Sequence, residues 1–110
     1  MARDLTELNK LEEYLKNHGI HYVRFDNDDV FDNEFPTLKV KCDRHQIIVP
    51  CDDINKREWD VICQFGSYGY EEGLLEIYGQ LVDEKEDGDT VAGWLTADDV
   101  IKRIERRDNG

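Results

Sequence analysis

In the segment EWDVICQF, Trp59, Val61, Cys63 and Phe65 take every second position, with Glu58, Asp60, Ile62 and Gln64 between them. Successive side chains of an extended chain point to opposite faces, so this alternation predicts a strand with one apolar and one more polar face. Such a strand has to pair with others and have its apolar face covered, which calls for a sheet with something packed on it. Covering elements are legible at both ends of the chain. In DLTELNKLEEYLKNHG, Leu5, Leu8, Leu11 and Leu15 recur at helical spacing and form one stripe. Asp4 and Glu7 match a capping box, His18 suits the last turn, and Gly19 stands where a helix stops. In TADDVIKRIERR, Thr96 and Asp99 match a second capping box. There Val100, Ile101 and Ile104 face inward, and Arg106 and Arg107 complement the negative end of the helix dipole.

Between these helices, IHYVRF predicts a strand and DNDDVFDNEFP a loop. TLKVKC and HQIIVPC predict a hairpin that turns at Asp43-Arg44 and ends at Pro50. YEEGLLEIYGQLV carries Leu74, Leu75, Ile77, Tyr78, Leu81 and Val82 as a broad helical stripe, with Gly73 and Gly79 inside it for close packing. DEKEDGD predicts an acidic turn and TVAGWL a short strand. The order expected is α-β-β-β-β-α-β-α. It describes one α+β domain over residues 1–110, with a small antiparallel sheet of about four to five strands and three helices on one face.

A chain of 110 residues can bury one core without disulfides or metals. Its net charge of −12 disfavours DNA, RNA and anionic membranes as direct ligands and suits a protein partner with a basic surface. No apolar run approaches the roughly 20 residues that span a bilayer, and MARDLTELNK lacks the apolar core of a signal peptide. With 3 cysteines, an odd number, the expectation is a cytoplasmic protein with reduced thiols.

Gly66-Ser67-Tyr68-Gly69-Tyr70 resembles a phosphate-cradling loop, but Glu71 and Glu72 follow it where an anion would need positive charge. It is expected to be a turn needing φ > 0 at Gly66 or Gly69, with Tyr68 and Tyr70 available to a partner. Of Cys42, His45, Cys51 and Cys63, only Cys42 and His45 have a zinc-like spacing and no second pair completes a site, and a calcium loop counted from Asp83 would have Lys85 and Trp94 where oxygen ligands are needed. Neither a metal nor a cofactor is implied. A Cys63–His45 nucleophile pair has no orienting group or oxyanion hole in the sequence, so catalysis is not expected. The acids gather in three stretches. These are Asp26, Asp28, Asp29, Asp32 and Glu34; Glu71, Glu72 and Glu76; and Asp83, Glu84, Glu86, Asp87 and Asp89. Carboxylates so placed can stand in for phosphates against a basic groove. Two alternatives remain open: a small-ligand or nucleotide-sequestering protein using a cation among Lys39, Lys41, Arg44 and Arg57, and a Cys/His enzyme.

With HQIIV, EWDVICQFGSYGYEEGLLEIYG and TVAGWLTADDVIKRI placed, the chain resembles a group of short acidic proteins of Gram-positive bacteria, their phages and their mobile elements, over roughly residues 4–106. GSYGYEEGLLE is the most distinctive piece, and Phe65 stands at the preceding aromatic position. The group has no established activity and supplies no catalytic residue. The resemblance implies a phage-type context, in which small acidic proteins often inhibit host defence in the manner of anti-CRISPR and anti-restriction proteins.

Overall fold

The computed structural model describes residues 3–31 and 41–109. The chain runs α1 (Thr6–Asn17), β1 (Val23–Phe31), β2 (Lys41–Val49), β3 (Trp59–Ile62), a 3₁₀ turn (Tyr70–Glu72), β4 (Leu75–Gly79), α2 (Glu84–Asp87), β5 (Val91–Leu95) and α3 (Ala97–Asn109). The five strands form one antiparallel meander in the order β1-β2-β3-β4-β5. The α+β class, the antiparallel sheet, the three helices and the order α-β-β-β-β-α-β-α are those expected.

Cross-strand register sets the two faces of the sheet. Ile47, Val61, Ile77 and Ala92 lie opposite one another across β2 to β5 and belong to the core. Leu8, Leu11 and Leu15 of α1 and Val100 and Ile104 of α3 close over that row. Each of the three leucines is fully buried, worth roughly 1.5–3 kcal/mol of transfer free energy apiece. The capping box of α3 forms as expected: Asp99 N–H donates to Thr96 Oγ1 at 3.2 Å and Thr96 N–H to Asp99 Oδ2 at 3.0 Å. That of α1 does not. Asp4 accepts from Thr6 N–H, while Glu7 reaches across to accept from Ala97 N–H at the start of α3. Glu7 thus joins the two helices end to side, using the orphan amides of its neighbour.

Several segments lie elsewhere than their patterns suggested. Residues 70–82 form the 3₁₀ turn and β4, not a helix. Gly69, Gly73 and Gly79 have φ of 91°, 72° and 89°, which no helix interior accommodates. Close packing at two of these glycines holds: a Cβ on Gly73 would lie 2.9 Å from Asp4, and one on Gly79 2.6 Å from the Glu58 carbonyl. The second helix of the expected order is instead α2, one turn within the acidic DEKEDGD. Asp83 caps it by accepting from Lys85 and Glu86 N–H. No turn occurs at Asp43-Arg44. β2 runs straight through them, and β1 extends over Asp26 to Phe31, where a loop was expected. The β1–β2 connection falls in residues 32–40, outside the described residues. Phe65 lies beyond the end of β3 and is half-exposed, away from the core face of Trp59 and Val61. Among the described residues, no helix is long and apolar enough to cross a membrane.

Candidate functional site

Two of the most exposed aromatic side chains among the described residues meet. Tyr68, in the glycine-rich turn, stacks on Trp94 of β5 with ring centroids 5.1 Å apart and planes at 23°. Trp94 is 59% and Tyr68 48% exposed. The turn is built from its own sequence. Ser67 Oγ accepts from Gln64 N–H and donates to the Gln64 carbonyl, and Gly66 and Gly69 supply the positive φ expected of them. Behind the turn, Glu76 on β4 accepts from Tyr68 N–H at 3.2 Å and from the Tyr78 hydroxyl. Burial, and then the neighbouring Glu76, push the Tyr78 hydroxyl well above the usual phenol range. Trp94 N–H donates to the Tyr68 carbonyl at 3.3 Å. A Cβ on Gly93 would run into Tyr68 Cβ, and one on Gly69 would approach Trp94 at 3.2 Å. Gly93 therefore makes room for Tyr68 on β5, and Gly69 lets the turn backbone approach Leu74 and Trp94.

Trp94 itself has φ 55°, the one positive φ at a non-glycine among the described residues. A left-handed L-residue costs about 1–2 kcal/mol, and such outliers concentrate at functional sites. The strain can be measured separately from the ring. Trp94→Ala keeps the positive φ and loses the stacking, whereas Trp94→Gly loses the stacking and relieves the backbone. Trp94→Gly should therefore be the more stable of the two by about 1 kcal/mol in denaturant unfolding. Equal midpoints would show that the backbone there is unstrained.

The stacked pair is the common wall of two clefts. One, of ≈ 260 Å³, is lined by residues 66–72 and Trp94, and its charged lining residues are Glu71 and Glu72. The other, of ≈ 520 Å³, includes Asp87, Asp89 and Arg103. Arg103 is committed to Asp87 through two contacts of 2.8 Å. That hydrogen bonding, ahead of the burial that opposes it, holds the Asp87 carboxyl below the usual range. Glu72 makes no ion pair among the described residues, and Glu71 accepts from the Tyr70 hydroxyl.

The three acidic stretches fare differently. Tyr68, Tyr70, Glu71 and Glu72 come together around the first cleft, and Asp87 and Asp89 line the second. Asp83, Glu84 and Glu86 are exposed nearby in sequence, with Glu86 3.9 Å from Arg106. Glu76 does not join the surface. It is 3% exposed and turned to the sheet face opposite the helices, because its stretch is a strand. The first stretch is not a free loop either. Asp26 is 2.7 Å from His45 Nδ1 and 2.9 Å from Arg24 Nε, and Asp28 is 3.0 Å from His45 Nε2. Burial raises the Asp26 carboxyl, but the hydrogen bonds from His45 and Arg24 outweigh it and leave it lowered. Asp29 lies on β1 by its backbone, and Asp32 and Glu34 are outside the described residues.

His45 is buried with its ring nitrogens facing Asp26 and Asp28, not Cys63. The Cys63 thiol points at the Asp4 carbonyl, 3.7 Å away, and burial pushes it up to about 11. A thiolate–imidazole pair is therefore not formed by these two residues. Cys51 is half-buried, and no group of three or more His, Cys, Asp or Glu among the described residues is arranged to hold a metal. Of the cations proposed for a nucleotide, Arg44 lies over the Phe25 ring and bonds Gln46, and Arg57 pairs with Asp52. Lys39 and the Lys41 side chain are outside the described residues, and neither arginine lines the Gly66–Glu72 cleft.

Gly93 and Trp94 escaped the sequence reasoning. TVAGWL shows only an alternating strand, and nothing in it signals that its tryptophan is turned outward by a positive φ. Comparison with protein-family models, with curated proteins and with solved structures finds no match for this chain.

Proposed function

We propose that this is a non-catalytic binding protein. In this view its acidic, aromatic-bearing surface occupies the basic surface of a nucleic-acid-handling protein and inhibits it, as the anti-CRISPR and anti-restriction type of protein does. The observation that carries this is the exposed Tyr68–Trp94 pair, held out by a strained backbone and flanked by clefts whose unpaired charges are carboxylates. Aromatic residues in this setting anchor protein interfaces, and a net charge of −12 supplies long-range attraction to a basic partner. The glycine-rich turn contributes a shaped edge of the interface in place of a phosphate cradle. The acids of β1 are drawn into a network with Arg24 and His45, so the surface that docks is centred on the Tyr68–Trp94 end of the molecule.

The test uses the whole protein immobilised beside a variant carrying Glu71→Lys, Glu72→Lys and Asp89→Lys, each exposed to lysate of the native host. The expected result is a basic protein retained by the wild type only, released by double-stranded DNA, and weakening steadily as salt rises past about 0.15 M. A partner held equally by both proteins, or unmoved by salt and DNA, would defeat the proposal.

A further inference from the structure

Two aromatic rings of this protein already carry an arginine of the same chain. The Arg3 guanidinium lies 4.8 Å from the Tyr70 ring centroid and that of Arg44 4.2 Å from the Phe25 centroid. The Tyr68–Trp94 pair is the most exposed stacked pair and has no such cover among the described residues. The two rings stack on each other, and both side chains line both clefts. The geometry points to this pair as an arginine-binding subsite: an arginine of a partner protein lies flat on the exposed Trp94 ring, with its guanidinium directed toward the carboxylates of Glu71 and Glu72 that line the same cleft.

Several features select this occupant. Guanidinium is planar, weakly hydrated and stacks on aromatic faces, whereas the lysine ammonium is a strongly hydrated point charge. Indole is the best of the aromatic partners for a cation. The carboxylates beside it can accept the guanidinium N–H groups as hydrogen bonds. A nucleobase would also stack on such a platform, but its phosphates would meet Glu71, Glu72 and a net charge of −12. This inference rests on the proposal that the Tyr68–Trp94 surface binds a basic partner, and it specifies which basic side chain that surface reads.

The probes are fluorescein-labelled oligo-arginine and oligo-lysine peptides of equal length, titrated by anisotropy into the wild type and into Trp94→Gly at about 0.15 M salt. Oligo-arginine should bind the wild type roughly fivefold to tenfold more tightly than oligo-lysine. In Trp94→Gly that ratio should fall to near one, with weaker charge-driven binding of both peptides remaining. A second readout needs no variant. Trp59 is 3% exposed and Trp94 59%, so acrylamide quenching of the wild type reports Trp94, and unlabelled oligo-arginine should protect it where oligo-lysine does not. Equal binding of the two peptides, an arginine preference that survives in Trp94→Gly, or unprotected quenching each overturns the arginine subsite while leaving the acidic docking surface standing. Failure of both peptides to bind even at low salt overturns the subsite and the docking surface together.

Discussion

Gly79→Ala should destabilise the protein by about 2–5 kcal/mol, the sum of two separate costs. Gly79 ends β4 with φ 89°, a conformation that costs an alanine about 1–2 kcal/mol. The added Cβ would also lie 2.6 Å from the Glu58 carbonyl oxygen and 3.0 Å from Trp59 Cα. Those are backbone atoms where the chain enters β3, and the Glu58 carbonyl already accepts from Gln80 N–H at 2.8 Å. Relieving the contact means separating β3 from β4 at the Trp59–Gly79 pair, a steric cost of about 1–3 kcal/mol. Gly88→Ala is the control. Gly88 has φ 70°, but a Cβ added there would meet nothing within 4 Å, so only the conformational part, about 1 kcal/mol, should appear. Denaturant midpoints for the two variants should therefore differ clearly. Equal losses would mean that the contact with the β3 backbone carries no energy.

Asp43→Asn should be the next most damaging change, at about 2–3 kcal/mol, because it weakens a nearly buried carboxylate on which three groups converge. Asp43 accepts both Arg3 Nε at 2.8 Å and Arg3 Nη2 at 2.9 Å, and Phe65 N–H at 2.8 Å. His45 Nε2 lies 3.4 Å away. It therefore ties the segment before α1 and the start of the glycine-rich turn to β2. The Arg3 hydrogen bonds, opposed by burial and helped by the Phe65 amide, hold its carboxyl at about 2, below the ordinary aspartate value of 3.8. A carboxyl depressed on folding stabilises the native state above its unfolded value and ceases to do so as the pH falls through its folded value. The stabilisation should thus be complete above about pH 4 and disappear toward pH 2, contributing about 1–2 kcal/mol once solvent screening is allowed for. Thermal midpoints followed across that window should fall less steeply in Asp43→Asn than in the wild type. A residual slope is expected from Asp87 and Asp99, whose carboxyls are also lowered, by Arg103 and by the Thr96 amide respectively. Identical slopes in the two proteins would remove Asp43 as the source.

The second prediction concerns a joint that carries the glycine-rich turn, so it bears on function as well as stability. Asp43 fixes the Phe65 end of the turn. Glu76, withdrawn from the surface, fixes its middle through Tyr68 N–H. The exposed ridge is in this way supported by carboxylates whose charge is spent inside the molecule, while Glu71, Glu72 and Asp89 keep theirs outward.

From its sequence alone this chain determined its class and its covered face. The period-two run at Trp59, Val61 and Cys63 could bury one face only as a strand, and the leucines of α1 with the Thr96–Asp99 box of α3 could bury theirs only as helices. These are local signals, each contained within a turn or a pleat. Residues 70–82 defeated the same logic because Leu74, Leu75, Ile77 and Tyr78 fit a helical stripe and a strand equally well. Pairing of Leu75–Gly79 with β3 on one side and β5 on the other decided between them, and the positive φ of Gly73 and Gly79 suits the bounds of that strand. The three acidic stretches looked equivalent as runs of charge, yet folding set Asp26 and Asp28 on His45, Glu76 beneath Tyr68, and Glu71 and Glu72 in an open cleft. Charge is written in the sequence, but which charges remain free depends on the bases and amides that packing brings to them. The outward turn of Trp94 likewise belongs to the tertiary structure: its positive φ and its stacking on Tyr68 join β5 to a turn that lies well before it in the chain.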